Sequence, residues 1–291
     1  MSKIIRAISE NGGVVVTAIN STDIVNAMEK YHQTSAVVSA ALGRTLTAAV
    51  LMGANLKSTE DVLTIKFSGN GPIGRVVAVV NGKGEVKGYV DNAQVELPLR
   101  NDGKLDVGTA VGKEGILFVI KDLGLKEPYI GQVPIVSGEI AEDITSYYAI
   151  SEQMANVTSL GVLVNPDLTI SSAGGYLLHL LPGATEEEIT LIEHNLSKME
   201  SVTSLLEKGK LPLEIAYMLL DGFNPNLLDE QEMVYKCNCS MDSMEKAIIS
   251  LGEKELQNLK EKEDDLEICC HYCNKKYNIK ASDMLKKLEL K

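Results

Sequence analysis

All five cysteines of this 291-residue chain lie between positions 237 and 273. Four of them form two close pairs, one spaced C-x-C and the other C-x-x-C. Two such pairs match a tetrahedral zinc site with four cysteine ligands, because each pair can place two sulfurs on one side of the metal while the intervening segment folds across it. The sequence therefore predicts one zinc ion with four thiolate ligands: Cys237, Cys239, Cys270 and Cys273.

Two roles are open for this site. A constitutive structural zinc is one, since such sites commonly supply the folding free energy of a small domain. A redox switch is the other, because the metal keeps the sulfurs as thiolates and thiolates are the species that oxidants attack. A structural zinc contributes about 10–16 kcal/mol, so its loss would unfold residues 232–291. A disulfide that spans one residue is strained, and we expect the Cys270–Cys273 bridge to form before Cys237–Cys239.

The neighbours of these cysteines and the competing classes of zinc protein are also informative. We interpret Cys269 as a small apolar residue or a resolving thiol, and His271 as a solvent-facing side chain.

A thiol-disulfide oxidoreductase would need its CxxC pair at a helix N-terminus in a βαβ setting, which the flanking sequence does not supply. A nucleic-acid module would need a basic face, yet residues 232–291 hold 12 acidic and 11 basic residues.

The elements that position the cysteines indicate an α+β fold, with an N-terminal domain of antiparallel strands and long helices. The Ala-rich stretch 36–56 is interpreted as a buried core helix and not as a membrane span, since Arg44 lies at its middle. The other predicted elements are a hairpin at 4–9 and 14–19, a helix after Ser21, Thr22 and Asp23, strands within 61–136, a helix over 139–156, and strands at 157–164 and 175–181.

Two further signals argue against common enzyme classes. Gly69-Asn-Gly71-Pro-Ile-Gly74 fits the dinucleotide pattern GxGxxG, but a strand follows it in place of the helix that would hold a pyrophosphate. It is interpreted as a hairpin turn. No Walker motif or GxSxG motif is found, and His32, His179 and His194 lack metal-like spacing. ATP use and serine hydrolysis therefore both lack support in the sequence.

Charge divides the chain into three parts. The net charge is -12, which disfavours nucleic acid and anionic membranes as partners. Residues 182–231 hold ten acidic and three basic residues together with the apolar run 215–220. We predict a core domain at 1–181, an acidic helical linker at 182–231 and a zinc-binding domain at 232–291. The first residues lack the apolar run of a signal peptide, which predicts a cytoplasmic protein.

These residues resemble the redox-regulated bacterial chaperone family known as heat shock protein 33, or 33 kDa chaperonin. The cysteine pattern is the specific signature, and the resemblance runs along nearly the whole chain. Cys269 and His271 are not part of the family pattern. The supporting matches are Gly69-x-Gly71-Pro72, Tyr147, Ser151-Glu152-Gln153, Ala173-Gly174-Gly175, Leu177-Leu178, Pro182, Lys236 and Ser240.

The resemblance implies an ATP-independent holdase that is inactive when reduced and zinc-bound. Oxidation of the four cysteines to two disulfides, together with mild unfolding, would release zinc, loosen the linker and expose a surface for unfolding proteins. The active form would often be a homodimer. The same four residues, Cys237, Cys239, Cys270 and Cys273, would thus be both metal ligands and redox-active disulfides.

Overall fold

Ten strands form a mixed sheet in the part of the chain before Cys237, and the computed structural model describes residues 2–289. The strands are β1 Ser2–Ile8, β2 Val14–Asn20, β3 Val62–Gly69, β4 Arg75–Asn81, β5 Glu85–Val90, β6 Gly115–Asp122, β7 Tyr129–Pro134, β8 Asn156–Val164, β9 Ile170–Leu180 and β10 Asn226–Tyr235. Their order is β7-β6-β3-β4-β5-β10-β1-β2-β9-β8. All neighbours are antiparallel except β5 and β10.

Helices cover the sheet, and a separate small unit begins at Cys237. The helices of the first unit are α1 Thr22–His32, α2 Ala36–Gly53, α3 Val107–Val111, α4 Ala141–Tyr147, α5 Glu186–Ser197, α6 Val202–Glu207 and α7 Pro212–Leu219, with a π-helical turn at Tyr148–Glu152. The elements of the second unit are α8 Met241–Ile249, α9 Glu253–Lys262, β11 Asp265–Cys269, β12 Lys276–Lys280 and α10 Ala281–Glu289. This α+β architecture confirms the predicted fold class.

Neighbouring residues of the central strands pack into different cores. On β1, Ile4 belongs to the core built around α1 and α2, whereas Ile5 belongs to the core beneath α5, α6 and α7. Leu177 and Leu178 on β9 divide in the same way. Successive side chains of a strand point to opposite faces, so β1, β2 and β9 lie between two helical layers. Burial on both faces explains the nearly continuous apolar run of β2, VVVTAI.

Helix α2 is the central helix of the larger core. Its length and composition would allow it to cross a membrane, but 89% of it is buried inside the structure. Arg44 is bound there by Glu139, with 2.7 Å between Nη1 and Oε2. The interpretation of this stretch as a core helix is confirmed.

The GxGxxG segment forms the turn between β3 and β4, as predicted. Its backbone packs against α3: the amide of Gly71 donates to the carbonyl of Val111 at 3.0 Å. An added Cβ at Gly71 would lie 2.2 Å from the carbonyl oxygen of Ala110. The glycines of this segment thus permit close backbone packing, which requires no phosphate ligand.

Most other predicted elements are found, with three differences. The hairpin β1–β2 and the strands within 61–136 are confirmed. Helix α3 interrupts that strand region, and β9 begins five residues earlier than predicted. The predicted helix over 139–156 is an α-helix only to Tyr147, followed by the π-helical turn.

Residues 182–231 are helical up to Leu219, and α5 begins with the predicted capping pair. Thr185 Oγ1 accepts from the amide of Glu188 at 3.3 Å, and Glu188 Oε2 accepts from the amide of Thr185 at 2.8 Å. No sequence pattern predicts β10, which begins within this segment and pairs with β1. Its residues Val234 and Tyr235 also pair in parallel with β5.

We expect Gly71→Ala to lower the free energy of unfolding by about 1–3 kcal/mol, because the added methyl group overlaps rigid backbone. Urea denaturation of the full chain measures this change. Gly161→Ala is the matched control: there the new Cβ meets the Thr203 methyl group, which a side-chain rotation can move. Equal stability of Gly71→Ala and wild type would contradict the close packing of this turn on α3.

Candidate metal centre

The two cysteine pairs occupy non-helical segments of the second unit. Cys237 and Cys239 follow β10 along the chain and precede α8, whose N-cap is Ser240. Cys270 and Cys273 lie in the turn that joins β11 to β12. The carbonyl of Cys270 accepts from the amides of Cys273 and Asn274 at 3.3 and 2.8 Å, which fixes this turn.

The four sulfurs lie close together. The distance from Cys237 Sγ to Cys270 Sγ is 3.6 Å, and that from Cys239 Sγ to Cys273 Sγ is 3.4 Å. All four lie within 4.8 Å of one another. Zinc–thiolate bonds of about 2.3 Å in a tetrahedron place the sulfurs about 3.8 Å apart, so these cysteines fit the ion that the sequence predicts.

Burial differs between the ligands. Cys270 is 4% exposed, while Cys237, Cys239 and Cys273 are half-buried. Burial raises the pKa of Cys237 and of Cys273, since both thiolates lose hydration. Burial also raises the pKa of Cys239, but hydrogen bonds from Tyr277 and the other cysteines outweigh it and lower the value to about 7. A bound divalent cation would favour the thiolate form of all four.

The sulfurs also accept hydrogen bonds from outside the cluster. Tyr277 Oη donates to Cys239 Sγ at 3.1 Å. Backbone hydrogen bonding from Cys239 lowers the pKa of Cys237, and that from Lys275 lowers the pKa of Cys273, each against the larger effect of burial. Such bonds orient metal ligands and moderate their charge. No sequence pattern predicts a role for Tyr277, because the pairing of β12 with β11 brings its hydroxyl to the cluster.

The remaining candidate residues lie apart from the four sulfurs. Cys269 is exposed on β11, opposite Lys276, so it is not packed as an apolar core residue. His271 is exposed as well. His32 and His179 are buried in the first unit, where His32 Nε2 lies 3.2 Å from Tyr235 Oη. His194 is exposed on α5. These histidines form no metal site within residues 2–289.

Comparisons with known proteins agree with this arrangement. The family model described as "Hsp33 protein" matches residues 2–280. The 33 kDa chaperonin of Bacillus velezensis is 47% identical over 277 residues, which is 95% of this chain and 94% of that protein. That of Clostridioides difficile is 44% identical over 286 residues, 98% of each chain. The crystal structure of the 33 kDa chaperonin (heat shock protein 33 homolog) from Thermotoga maritima has a TM-score of 0.89 at 34% identity, covering 99% of this chain and 98% of that one.

The adjacent residues Cys269 and Cys270 provide a test of which cysteines bind zinc. We expect Cys270→Ser to abolish stoichiometric zinc binding and to unfold the second unit, because a hydroxyl replaces one thiolate and the unit has a small core. Cys269→Ser should keep one zinc per chain. Metal analysis and hydrogen exchange of residues 237–289 measure both effects. Retention of zinc by Cys270→Ser, or its loss in Cys269→Ser, would contradict the assignment.

Proposed function

Because the chain belongs to the Hsp33 family, we propose that it is a redox-regulated, ATP-independent holdase that binds unfolding proteins after oxidation of its zinc-ligating cysteines. Oxidation would form two disulfides, Cys237–Cys239 and Cys270–Cys273, with release of zinc. The oxidised protein would act as a homodimer in the cytoplasm, without enzymatic activity. The observation that supports this proposal most strongly is the approach of four thiols to metal-binding distances within one small unit.

The size of that unit links its cysteines to its stability. Among the described residues of this unit, the core cluster consists of Leu256, Ile279 and Met284 with partly buried neighbours, while Cys270, Tyr277 and Ala281 are buried beside it. So small a core supplies little hydrophobic free energy, and natural domains of this size commonly depend on a metal or disulfides. Zinc, when bound, holds the four sulfurs as thiolates and contributes to folding. Conversion of these thiolates to disulfides removes the ligands and, with them, the constraint that keeps the unit folded.

The surface for unfolding proteins would come from residues 182–231. Helices α5–α7 cover one apolar face of the sheet in the first unit. That face is formed by Ile5, Ala7, Val14, Val16, Ala18, Tyr176 and Leu178. The covering side chains are Ile192, Val202, Leu205, Leu206, Ile215, Ala216, Leu219, Leu220 and Phe223. Release of these helices would expose both sets, a contiguous apolar surface of the kind that binds other proteins.

Strand β10 joins this segment to the cysteines along the chain. It begins seven residues after α7 ends and stops two residues before Cys237. At its C-terminal end it is held by the two residue pairs with β5, the amide of Lys236 to the carbonyl of Val86, and the ion pair of Lys236 with Glu85. The buried Tyr235 adds a hydrogen bond from its Oη to the carbonyl of Gly88 at 3.1 Å. Loss of order at Cys237 would act on these contacts before it reached the rest of the strand. We therefore propose residues 182–231 as the metastable element of the switch.

A thiol-disulfide oxidoreductase is a weaker alternative. Cys270 and Cys273 lie in the turn of a β-hairpin and not at a helix N-terminus, where the helix dipole would activate a thiol. A constitutive structural zinc is the alternative that requires an experiment. It predicts activity that does not depend on the metal.

The test compares two forms of the full chain in the same aggregation assay. We expect protein treated with peroxide at mild heat to suppress light scattering from a chemically unfolded client, whereas reduced, zinc-loaded protein should not. A chromogenic chelator should report about one zinc released per chain as activity appears. Subsequent reduction with added zinc is the control and should restore the inactive state. Retained zinc, or equal activity of both samples, would favour the structural alternative.

Asn195 offers a way to loosen the covering helices without changing a cysteine. It is 4% exposed, and its Nδ2 donates to the carbonyls of Leu219 and Asp221 at 3.0 and 2.9 Å. Asn195→Ala leaves these carbonyls without that donor, which costs about 1–3 kcal/mol. We expect faster hydrogen exchange in residues 182–224 and activation at lower peroxide concentration.

The matched control is Glu193→Ala, an exposed position on the same helix. It should leave exchange and activation unchanged. Faster exchange in Asn195→Ala with an unaltered peroxide threshold would show that the covering helices do not control activity.

A further inference from the structure

Tyr277 lies in the second unit with its hydroxyl directed at one metal ligand. The residue is 5% exposed and lies on β12, where it pairs with Ile268 of β11. Its Oη donates to Cys239 Sγ at 3.1 Å, and its ring lies beneath Lys275 Nζ, 5.0 Å from the ring centroid. Burial and strand pairing hold the ring in place, so the hydroxyl is directed at a single sulfur.

The hydrogen bond makes the two cysteine pairs unequal. When zinc holds all four sulfurs as thiolates, the fraction of thiolate is the same at each of them. A donor to one thiolate then only withdraws negative charge from sulfur, and a sulfur with less charge is a weaker nucleophile toward an oxidant. The hydrogen bonding to Cys237 and Cys273 comes from the backbone of residues 239 and 275, so it does not depend on the side chains at those two positions. Cys239 accepts from a side chain, so its reactivity depends on the identity of residue 277.

We propose that Tyr277 is a positioning residue that restrains Cys239 against oxidation, so that the Cys270–Cys273 pair reacts before the Cys237–Cys239 pair. This inference rests on the proposed function, since it concerns the order of steps in the redox switch. Strain in a disulfide that spans one residue would by itself slow formation of the Cys237–Cys239 bond. The proposal adds a second cause, the hydroxyl group of Tyr277.

The reaction that Tyr277 restrains is the attack of a thiolate on hydrogen peroxide. Sulfur forms a bond to one peroxide oxygen as the O–O bond breaks, giving a sulfenic acid after proton transfer and a hydroxide ion. The partner thiolate of the pair then attacks the sulfenic sulfur, forming the disulfide and expelling a second hydroxide ion. Peroxide gains two electrons and the two thiolates lose two. The Tyr277 hydroxyl opposes the first step at Cys239, because the hydrogen bond must weaken as the sulfur donates its electrons.

The test uses Tyr277→Phe in the full, zinc-loaded chain, since Phe keeps the ring and its packing but removes the donor. We expect the Cys237–Cys239 disulfide to form roughly three- to tenfold faster under limiting peroxide, because a hydrogen bond to a charged group is lost. Mass mapping of samples quenched by alkylation measures each disulfide separately. The rate of zinc release, followed with a chelator, should increase as well.

Ile279→Val is the matched control. Ile279 lies on the same strand and face as Tyr277, is 5% exposed, and packs in the small core, so its truncation lowers stability without changing a bond to sulfur. We expect Ile279→Val to leave the ratio of the two disulfides unchanged. An unchanged ratio in Tyr277→Phe, or an equal shift in Ile279→Val, would overturn the proposal. Failure of wild-type protein to release zinc under peroxide would instead overturn the proposed function.

Discussion

The interaction on which the second unit depends is the approach of four cysteine sulfurs to one another. Four thiolates in contact repel one another strongly. A cation bound between them would neutralise this repulsion and crosslink two segments, the chain before α8 and the β11–β12 turn. The small apolar cluster around Leu256, Ile279 and Met284 supplies too little hydrophobic free energy to replace that crosslink. In the proposed function, the chemical state of the sulfurs would therefore control whether this unit stays folded, and peroxide would act on the fold without reaching a hydrophobic core.

The order of elements along the chain connects this site to the apolar cover of the first unit. The covering helices come first, β10 follows, and Cys237 comes directly after that strand. On one side β10 has seven residue pairs with β1, but on the other it has two with β5. The first five residues of the strand are exposed, whereas Met233 and Tyr235 near its end are buried in the larger core. Disorder that starts at Cys237 would therefore have to displace Tyr235 before it reached the rest of the strand.

Sequence patterns predicted the parts of this fold that depend on local chemistry. Cysteine spacing indicated that the four sulfurs lie together, and the capping pair Thr185 and Glu188 indicated the start of α5. Strand β10 escaped prediction because its sequence NLLDEQEMVY is mostly exposed, so neither alternation nor a buried run marks it. It forms by pairing with β1, more than 200 residues away. Tyr277 escaped for a related reason: strand pairing, and not its distance from the cysteines in sequence, aims its hydroxyl at Cys239.

The two cores of the first unit allow one face to be uncovered while the sheet remains folded. Alternate residues of β1, β2 and β9 face different layers, so loss of α5–α7 would remove the partners of Ile5 and Leu178 but not those of Ile4 and Leu177. The core around α2 contains Phe67, Tyr147 and most of the buried apolar residues. In the proposed function, a sheet supported by that core would present its other face without collapsing. Such a surface would be rigid on the sheet side and adaptable on the side of the released helices, which would suit unfolded chains of unrelated sequence.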